Sequence, residues 1–386
     1  MHTPARPAED IEIRPVQNRR DLDSFIEVPW QIYSRDTNWI PPLKLERRLH
    51  LSQDKNPYFQ HAEAEFWVAW RKGKPIGRIS AQIDQAWLER YQDATGHFGF
   101  LEGQDDPALF EALLQTAETW LKARGMKRIT GPYSLSVNDE CGLLVEGFDR
   151  PPALMMGHSR PYYASHVAQA GYHKAMDLLA YDIDVTAPLP PRARMLVDKI
   201  ASDPKLHMRA LDMKHYRQDL QLIVDIFNDA WSQNWGFVPM TSAEIENMAK
   251  SLKPIIKPEF VCIAEYDGEP AAMTVTLPDV HHLAADLDGK LLPFGWAKLL
   301  WRLKFSQCES GRMPLMGVRR KYQNSSQGAA LALGVIDRVY SYHRANGKKR
   351  AELSWVLENN RPTRRLIETV GGRADKTYRL YEKELA

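Results

Sequence analysis

The sequence predicts an α/β protein made of two similar halves in tandem, each a mixed central sheet flanked by helices. Three observations carry that reading. The chain has 386 residues, 44% hydrophobic and 10% aromatic, which is enough for two ordinary domains with real cores. Short runs suited to strands alternate with longer runs of helical spacing. Local signatures also recur in the same order in both halves, the mark of an internal repeat. Gly73-Lys74-Pro75 answers Gly268-Glu269-Pro270, and Arg124-Gly125-Met126-Lys127-Arg128 answers Asn346-Gly347-Lys348-Lys349-Arg350. Gly171-Tyr172-His173-Lys174-Ala175 answers Gly371-Gly372-Arg373-Ala374. The expected division is 1–186, a Pro-rich linker over 187–205, and 206–386.

In the first half, Ile11–Pro15 is a short alternating strand. Arg19–Arg35 is helix-like, with Pro29 as a kink or break. Glu63–Trp70 and Pro75–Asp84 form a hairpin through Arg71-Lys72-Gly73-Lys74. Gly96–Leu101 is a strand. Asp106 caps a helix with Pro107 in its first position and Gly125 at its end. Lys127–Gly131 begins a strand, a long insertion runs to Pro161, and Tyr162–Ala170 and Leu178–Val185 close the half. In the second half, Met208–Leu211 is a strand, and Tyr216–Trp231 and Ser242–Leu252 are helices. Phe260–Tyr266 and Ala271–Leu277 form a hairpin. Pro314–Val318 is a strand leading into a loop and a long helix; Arg350–Leu357, Pro362–Val370 and Thr377–Lys383 finish the order.

Composition excludes several function classes. A net charge of +2 gives no polyanion field, so nucleic acid is not expected as a partner. Cys141, Cys262 and Cys308 lie far apart without CxxC spacing, which speaks against a disulfide framework or zinc and suits a reducing cytosol. His158, His166 and His173 are scattered and His281-His282 is only a pair, so no metal is expected. The start, MHTPARPAED, has no apolar core of a signal peptide, and no run reaches ~18 apolar residues. The expected location is cytoplasmic, with peripheral contact to the inner membrane left open.

The stretch with the most chemistry runs from Met316 to Ala330. A strand end is followed by Arg319-Arg320-Lys321-Tyr322, then Gln323-Asn324-Ser325-Ser326-Gln327-Gly328-Ala329, then a helix. Small residues before a helix expose backbone N–H groups at a positive dipole end, a ready anion site. Neighbouring cations add charge, and no acid interrupts them in the sequence. The functional reading is a pyrophosphate cradle; the plain one is a strand–loop–helix turn with a solvated basic edge. The corresponding stretch of the first half, Leu101-Glu102-Gly103-Gln104-Asp105-Asp106-Pro107, carries three acids that would repel a pyrophosphate.

This order of elements resembles the GNAT acyltransferase fold, the second half most closely. Gly328 and Ala330 fit that family's phosphate-loop pattern, and Ser325 stands where Arg or Gln is usual. Glu358-Asn359-Asn360-Arg361-Pro362-Thr363 resembles the Asn-bearing segment that lies near the thioester and pantetheine in GNAT proteins. The whole chain resembles a narrower group of tandem GNAT-like bacterial proteins that includes the bacterial ceramide synthases. The matching segments are Trp39-Ile40-Pro41-Pro42-Leu43, Lys55-Asn56-Pro57-Tyr58-Phe59, Asn138-Asp139-Glu140-Cys141-Gly142, Ser354–Asn360 and Lys376–Lys383. The resemblance implies N-acylation of a sphingoid base, 3-oxosphinganine, by a fatty acyl thioester of CoA or of acyl carrier protein. The alternatives are a GNAT acetyltransferase of a small amine, or a non-catalytic acyl-CoA or lipid-binding protein.

Amine acylation needs a base for the ammonium and a proton for the leaving thiolate. Glu140 is the first candidate base and Asp139 the second, although the same residues could form an Asx turn with a surface acid. Tyr322 is the candidate thiolate donor. Expected CoA contacts are Val318, Arg319, Arg320, Ser325, Ser326, Gln327, Gly328, Ala329, Asn359 and Asn360; Asn360 could instead only cap a helix. Cys141, between an acid and a glycine, reads as packed rather than nucleophilic. Asn138, Trp296 and Trp301 are candidate contacts to a lipid amine. Residues 291–305 join aromatic anchors to Lys298 and Arg302, which suits a helix in a membrane interface, the lining of an acyl tunnel, or a core helix.

Overall fold

The computed structural model describes residues 11–305 and 308–385. They fall into two compact units. The first holds the chain up to Leu178, Ala284–Gly295 and the residues from Lys376 on; the second holds Leu179–Leu283 and the described part of Trp296–Asp375.

In the first unit, β1 (Glu12–Pro15), β2 (Ala62–Arg71), β3 (Lys74–Asp84) and β4 (Thr95–Gly103) pair antiparallel in sequence order. β5 (Arg128–Gly131) then joins β4 in parallel. The β2–β3 hairpin turns on Lys72 and Gly73, both at positive φ, the geometry that favours glycine there. Strand alternation sorts side chains to two faces. Trp67 and Ala69 join the cluster under α4 (Pro107–Lys122), while Phe66 and Val68 pack with Phe25, Ile26 and Val28 of α1 (Arg19–Ile32). Two short helices, α2 (Lys44–His50) and α3 (Gln85–Tyr91), have too few turns for a periodicity to reveal them. The Asp106 carboxylate accepts the Ala108 N–H and Pro107 opens α4, as its sequence predicts; such a cap is worth about 1 kcal/mol. β6 (Leu143–Glu146), α5 (Tyr163–Gln169) and β7 (His173–Asp184) follow, and β7 belongs to this unit up to Leu178.

The second unit repeats the plan. Its helices are α6 (Pro191–Ala201), α7 (Tyr216–Trp231), α8 (Ser242–Leu252), the single turn α9 (His281–Ala284), α10 (Gly295–Phe305), α11 (Ser326–Ala345) and α12 (Arg361–Thr369). Its strands β8 (Leu206–Arg209), β9 (Val261–Tyr266), β10 (Glu269–Pro278) and β11 (Ser310–Val318) pair antiparallel in order, and β12 (Arg350–Leu357) joins β11 in parallel. Ala272 belongs to the core cluster under α6 and α11. Met273, one residue on, lies with Gly317 beneath Ile226 and Ala230 of α7.

The stretch expected as linker differs most. Residues 191–201 are α6, whose Ala193, Val197 and Ile200 are buried in the core against α11. Pro188, Pro190 and Pro191 read as linker, but the apolar spacing behind them is that of a packed helix. The chain ends on β13 (Arg373–Glu384), which from Lys376 belongs to the first unit. There Tyr381–Glu384 pairs antiparallel with β5, and Thr377–Arg379 pairs with β6. The boundaries expected at 186 and 206 therefore do not describe these units.

Candidate active site

A cleft opens in the second unit where two parallel strands part. β11 and β12 pair only over Ser310–Met313 with Arg350–Leu353. The next residue of β11, Pro314, has no N–H to give the ladder. On its other side, β10 shifts register between Val275 and Leu277. Beyond that point a cavity of about 60 Å³ separates the strands, lined by Trp231, Met316, Ser354, Trp355, Asn360 and Thr363 among others. The Trp231 indole Nε1 donates to the Met316 carbonyl at 3.1 Å, and its ring lies 5.7 Å from that of Trp355. The end where the strands still pair is tied across by buried Arg312. Its Nε donates to Ser354 Oγ at 2.9 Å and its Nη2 to the Ser354 carbonyl at 3.1 Å, while the Ser354 hydroxyl donates to Glu352.

The loop leaving β11 turns through Arg320–Tyr322 into α11. Ser325 is the N-cap: its Oγ accepts the Gly328 N–H at 3.0 Å and donates to the Tyr322 carbonyl at 2.5 Å. A Cβ at position 328 would stand 2.1 Å from that carbonyl, so only glycine allows the loop to fold this close to the helix. Ser326 and Gln327 lie in the first turn, where N–H groups have no acceptor four residues back in the helix. Together with the helix dipole they form a donor array suited to an anion.

The cations beside the loop are less available than the sequence implies, because the fold brings acids to them. Arg319 Nη2 pairs with Asp225 at 2.5 Å and its Nε donates to the Pro270 carbonyl at 2.9 Å. Lys321 pairs with Glu269, and the Arg320 N–H donates to Asp229 at 2.8 Å. Arg319 is thus a brace between loop, α7 and the β9–β10 turn, whereas Arg320 is exposed.

In the first unit the corresponding place is filled. β4 and β5 pair over Thr95–His97 with Arg128–Thr130. The chain after β5 then folds straight back onto β4. The Tyr133 N–H donates to the Phe98 carbonyl at 2.8 Å, and a Cβ on Gly99 would lie 1.6 Å from the Tyr133 carbonyl oxygen. The acids at the end of β4 and before α4 are also engaged: Glu102 accepts from Tyr33 and Tyr163 at 2.6 Å each, Asp105 meets His166 at 2.7 Å, and Asp106 pairs with Arg71 at 2.5 Å.

Comparison with known proteins places the whole chain. It is 46% identical over 377 residues to the bacterial ceramide synthase of Caulobacter vibrioides (strain NA1000 / CB15N), covering 97% of this chain and 98% of that protein. The chain belongs to the bacterial ceramide synthase family. It is also 44% identical over 374 residues to Protein YghO of Escherichia coli (strain K12), covering 97% and 95% of the two chains. No family model matches the chain. Among solved structures, a tandem GNAT protein from the clavulanic acid biosynthesis pathway aligns with a TM-score of 0.57 at 12% identity, over 97% of this chain and 99% of that one. A GCN5-related N-acetyltransferase from Sphaerobacter thermophilus aligns with a TM-score of 0.54 at 15% identity, over 98% and 96%. The fold is that of tandem GNAT proteins.

The remaining sequence-derived residues of this ceramide synthase relative fall in three places. Asn138, Asp139 and Glu140 sit in the first unit, in a loop held by its own side chains. Ser136 Oγ accepts the Asn138 N–H at 2.8 Å, and Asp139 accepts the Ser136 N–H at 3.3 Å. Glu140 is ion-paired with the guanidinium of Arg47, and Asp139 lies 3.6 Å from His50. Burial disfavours the charged form of His50, but Asp139 outweighs it and holds the imidazole pKa above its ordinary value. In the second unit, Asn360 does cap α12, its Oδ1 accepting the Thr363 N–H at 3.2 Å, and it also lines the cleft. Asn359 and Ala329 are exposed, and the Val318 carbonyl accepts from Gln323 Nε2 at 2.8 Å.

Tyr322 is not among the cleft-lining residues. Its ring packs on the core beside Tyr266, 6.0 Å away, with the Lys321 ammonium 5.0 Å above it. Trp296 and Trp301 do not line the cleft either; they are 50% and 60% exposed on α10. The sequence reading missed Trp231, Trp355, Thr363 and the Arg312–Ser354 tie. One signal was available: a proline inside an otherwise apolar strand marks where a ladder stops. Among the described residues, no group of three or more His, Cys, Asp or Glu is arranged to hold a metal ion.

Proposed function

We propose that this protein is an N-acyltransferase that moves a fatty acyl group from an acyl-CoA thioester to the amine of a sphingoid base, 3-oxosphinganine, giving a 3-oxoceramide. The observation that carries the reading is the parted β11–β12 pair beside an open helix start in the second unit, in a chain 46% identical to a bacterial ceramide synthase. The GNAT fold implies acyl-CoA as co-substrate. The residues present fit it: an apolar slot with polar ends for the pantetheine arm, and a glycine-tightened loop with outward N–H groups for the pyrophosphate. In this reading Ser326 and Gln327 donate backbone N–H groups, Arg320 supplies charge, and Arg319 and Ser325 hold the loop in shape. Acyl carrier protein is the alternative donor.

In the reaction the amine attacks the thioester carbonyl, a C–N bond forms and the C–S bond breaks. The ammonium proton goes to a base and the departing thiolate takes a proton. Glu140 remains the proposed base with Asp139 second, and Arg47 and His50 set its surroundings. Acetylation of a small amine at the same cleft is the second reading, favoured by the narrowness of the cavity.

The test is mass spectrometry of products after incubating the protein with 3-oxosphinganine and acyl-CoAs from acetyl to long-chain. The expected result is an N-acylated sphingoid base formed only with long chains. Acetyl transfer alone would favour the small-amine reading. No product, together with no thermal shift on adding CoA, would leave a non-catalytic protein.

A further inference from the structure

Among the described residues, α10 and the turn before it hold the densest set of exposed large apolar side chains on the surface. Leu292 is 81% exposed, Phe294 77%, Leu300 57% and Phe305 61%, in addition to Trp296 and Trp301. No residue of α10 is buried, so the core-helix reading of 291–305 does not hold. A soluble chain does not gather so many exposed aromatic and leucine side chains in fourteen residues without something to cover them.

The charge says what covers them. No acidic residue occurs between Asp288 and Glu309, whereas Lys298, Arg302 and Lys304 all lie on α10. At 100° per residue, Leu299 and Leu303 fall on the inward side with Arg302, whose Nη1 donates to the Leu283 carbonyl at 2.6 Å and pins the helix. The outward arc carries Trp296, Leu300, Lys304, Trp301, Phe305 and Lys298. The Lys304 ammonium sits 5.3 Å over the Phe305 ring, a long side chain folded along apolar surface with its charge at the edge. Apolar anchors interleaved with cations, on a helix too short to cross a bilayer, match an interface rather than a span. The arc carries no acid, and its charges are the cations Lys298 and Lys304, which an anionic lipid surface complements.

We infer that α10 is a membrane-docking helix that inserts its aromatic and leucine side chains into an anionic bilayer, with Lys298 and Lys304 at the level of the lipid phosphates. The inference does not rest on the reaction proposed above, because docking is measured without any substrate.

The experiment is co-sedimentation of the full chain with vesicles of phosphatidylcholine alone and with 30% phosphatidylglycerol (about a third anionic lipid). Tryptophan emission is read in parallel. The expected result is binding to the anionic vesicles at least tenfold tighter than to the neutral ones, weakened by salt, with a blue shift from Trp296 and Trp301. Leu300→Glu with Phe305→Glu should abolish both signals while the melting temperature stays within about 2 °C of the parent, an exposed substitution having little effect on stability. Lys298→Glu with Lys304→Glu should remove the preference for anionic lipid. Equal binding of parent and Leu300→Glu/Phe305→Glu chains, or a concentration-dependent dimer that the same change dissolves, would overturn the inference and make the face a contact between copies.

Discussion

Gly328 shows how one position can decide the loop. A methyl group there meets the Tyr322 carbonyl at 2.1 Å, and that neighbour is backbone, so the loop has to move. Gly328→Ala is therefore expected to raise the dissociation constant for CoA at least tenfold by calorimetry, because the N–H groups of Ser326 and Gln327 lose their common aim. Ser325→Ala removes the cap and should cost about 1 kcal/mol of stability in addition to weaker CoA binding. If Gly328→Ala binds CoA like the parent, the pyrophosphate reading of the loop is wrong. Arg319 makes the complementary point. It reads in sequence as a phosphate contact, yet its donors go to Asp225 and Pro270.

At the scale of elements, the cleft exists because β11 and β12 stop pairing after Met313 and Leu353. Pro314 ends the ladder, Arg312 holds the paired end through Ser354, and Trp231 takes the Met316 carbonyl that β12 no longer reaches. Filling this space from α12 should block the site without disturbing the sheet. Thr363→Trp is expected to abolish acyl-CoA protection against thermal unfolding while leaving the far-ultraviolet circular dichroism unchanged. Retained protection would move the acyl-donor site elsewhere in the unit. The segments that carry the family resemblance turn out to do much structural work. Trp39 packs at 5.1 Å from Trp30 and 5.3 Å from Tyr33. Asn56 caps the turn at Pro57–Gln60 and donates to the His50 carbonyl at 2.6 Å. Lys376, 2% exposed, is held by the carbonyls of Gly147 and Arg150.

For the molecule as a whole, the repeat supplies two loop–helix starts; the acids of the first already speak against a pyrophosphate there, and the packing of the first unit also closes its cleft. The first unit's equivalent is occupied by the backbone around Tyr133. Calorimetry should therefore give one acyl-CoA per chain; two equal sites would contradict this. The two units share a second property, a neutral histidine buried against a threonine. Burial pushes His97 down to about 4, its Nδ1 lying 2.8 Å from Thr130 Oγ1. Burial, and then the Lys348 charge, push His343 down to about 4, with its Nε2 lying 2.7 Å from Thr276 Oγ1. Unfolded histidines titrate near ~6.5, so below that pH the unfolded chain takes up protons that the folded one refuses. Stability is expected to fall from about pH 6.5 down to about pH 4, by at most ~3 kcal/mol per histidine. Melting temperature against pH should show that slope, and His97→Gln with His343→Gln should flatten it.

Much was determined by the sequence alone. Hydrophobic periodicity placed the hairpins, the capped α4 and the long α11, because strand and helix periods are local properties of the chain. Recurring signatures revealed the tandem plan, and Ser325 through Gly328 marked the loop, since small residues and a helix start lie together in sequence. Tertiary structure decided the rest. Whether Arg319 is available depends on Asp225, which is ninety-four residues away in sequence. That residues 191–201 are a packed helix depends on what α11 offers them, and that β13 completes the first unit's sheet depends on pairing across more than two hundred residues. Which of two similar halves opens a cleft is set by where the chain runs after a parallel strand pair. Contacts of that range leave no periodic trace in sequence, because they are fixed by packing and not by neighbours along the chain.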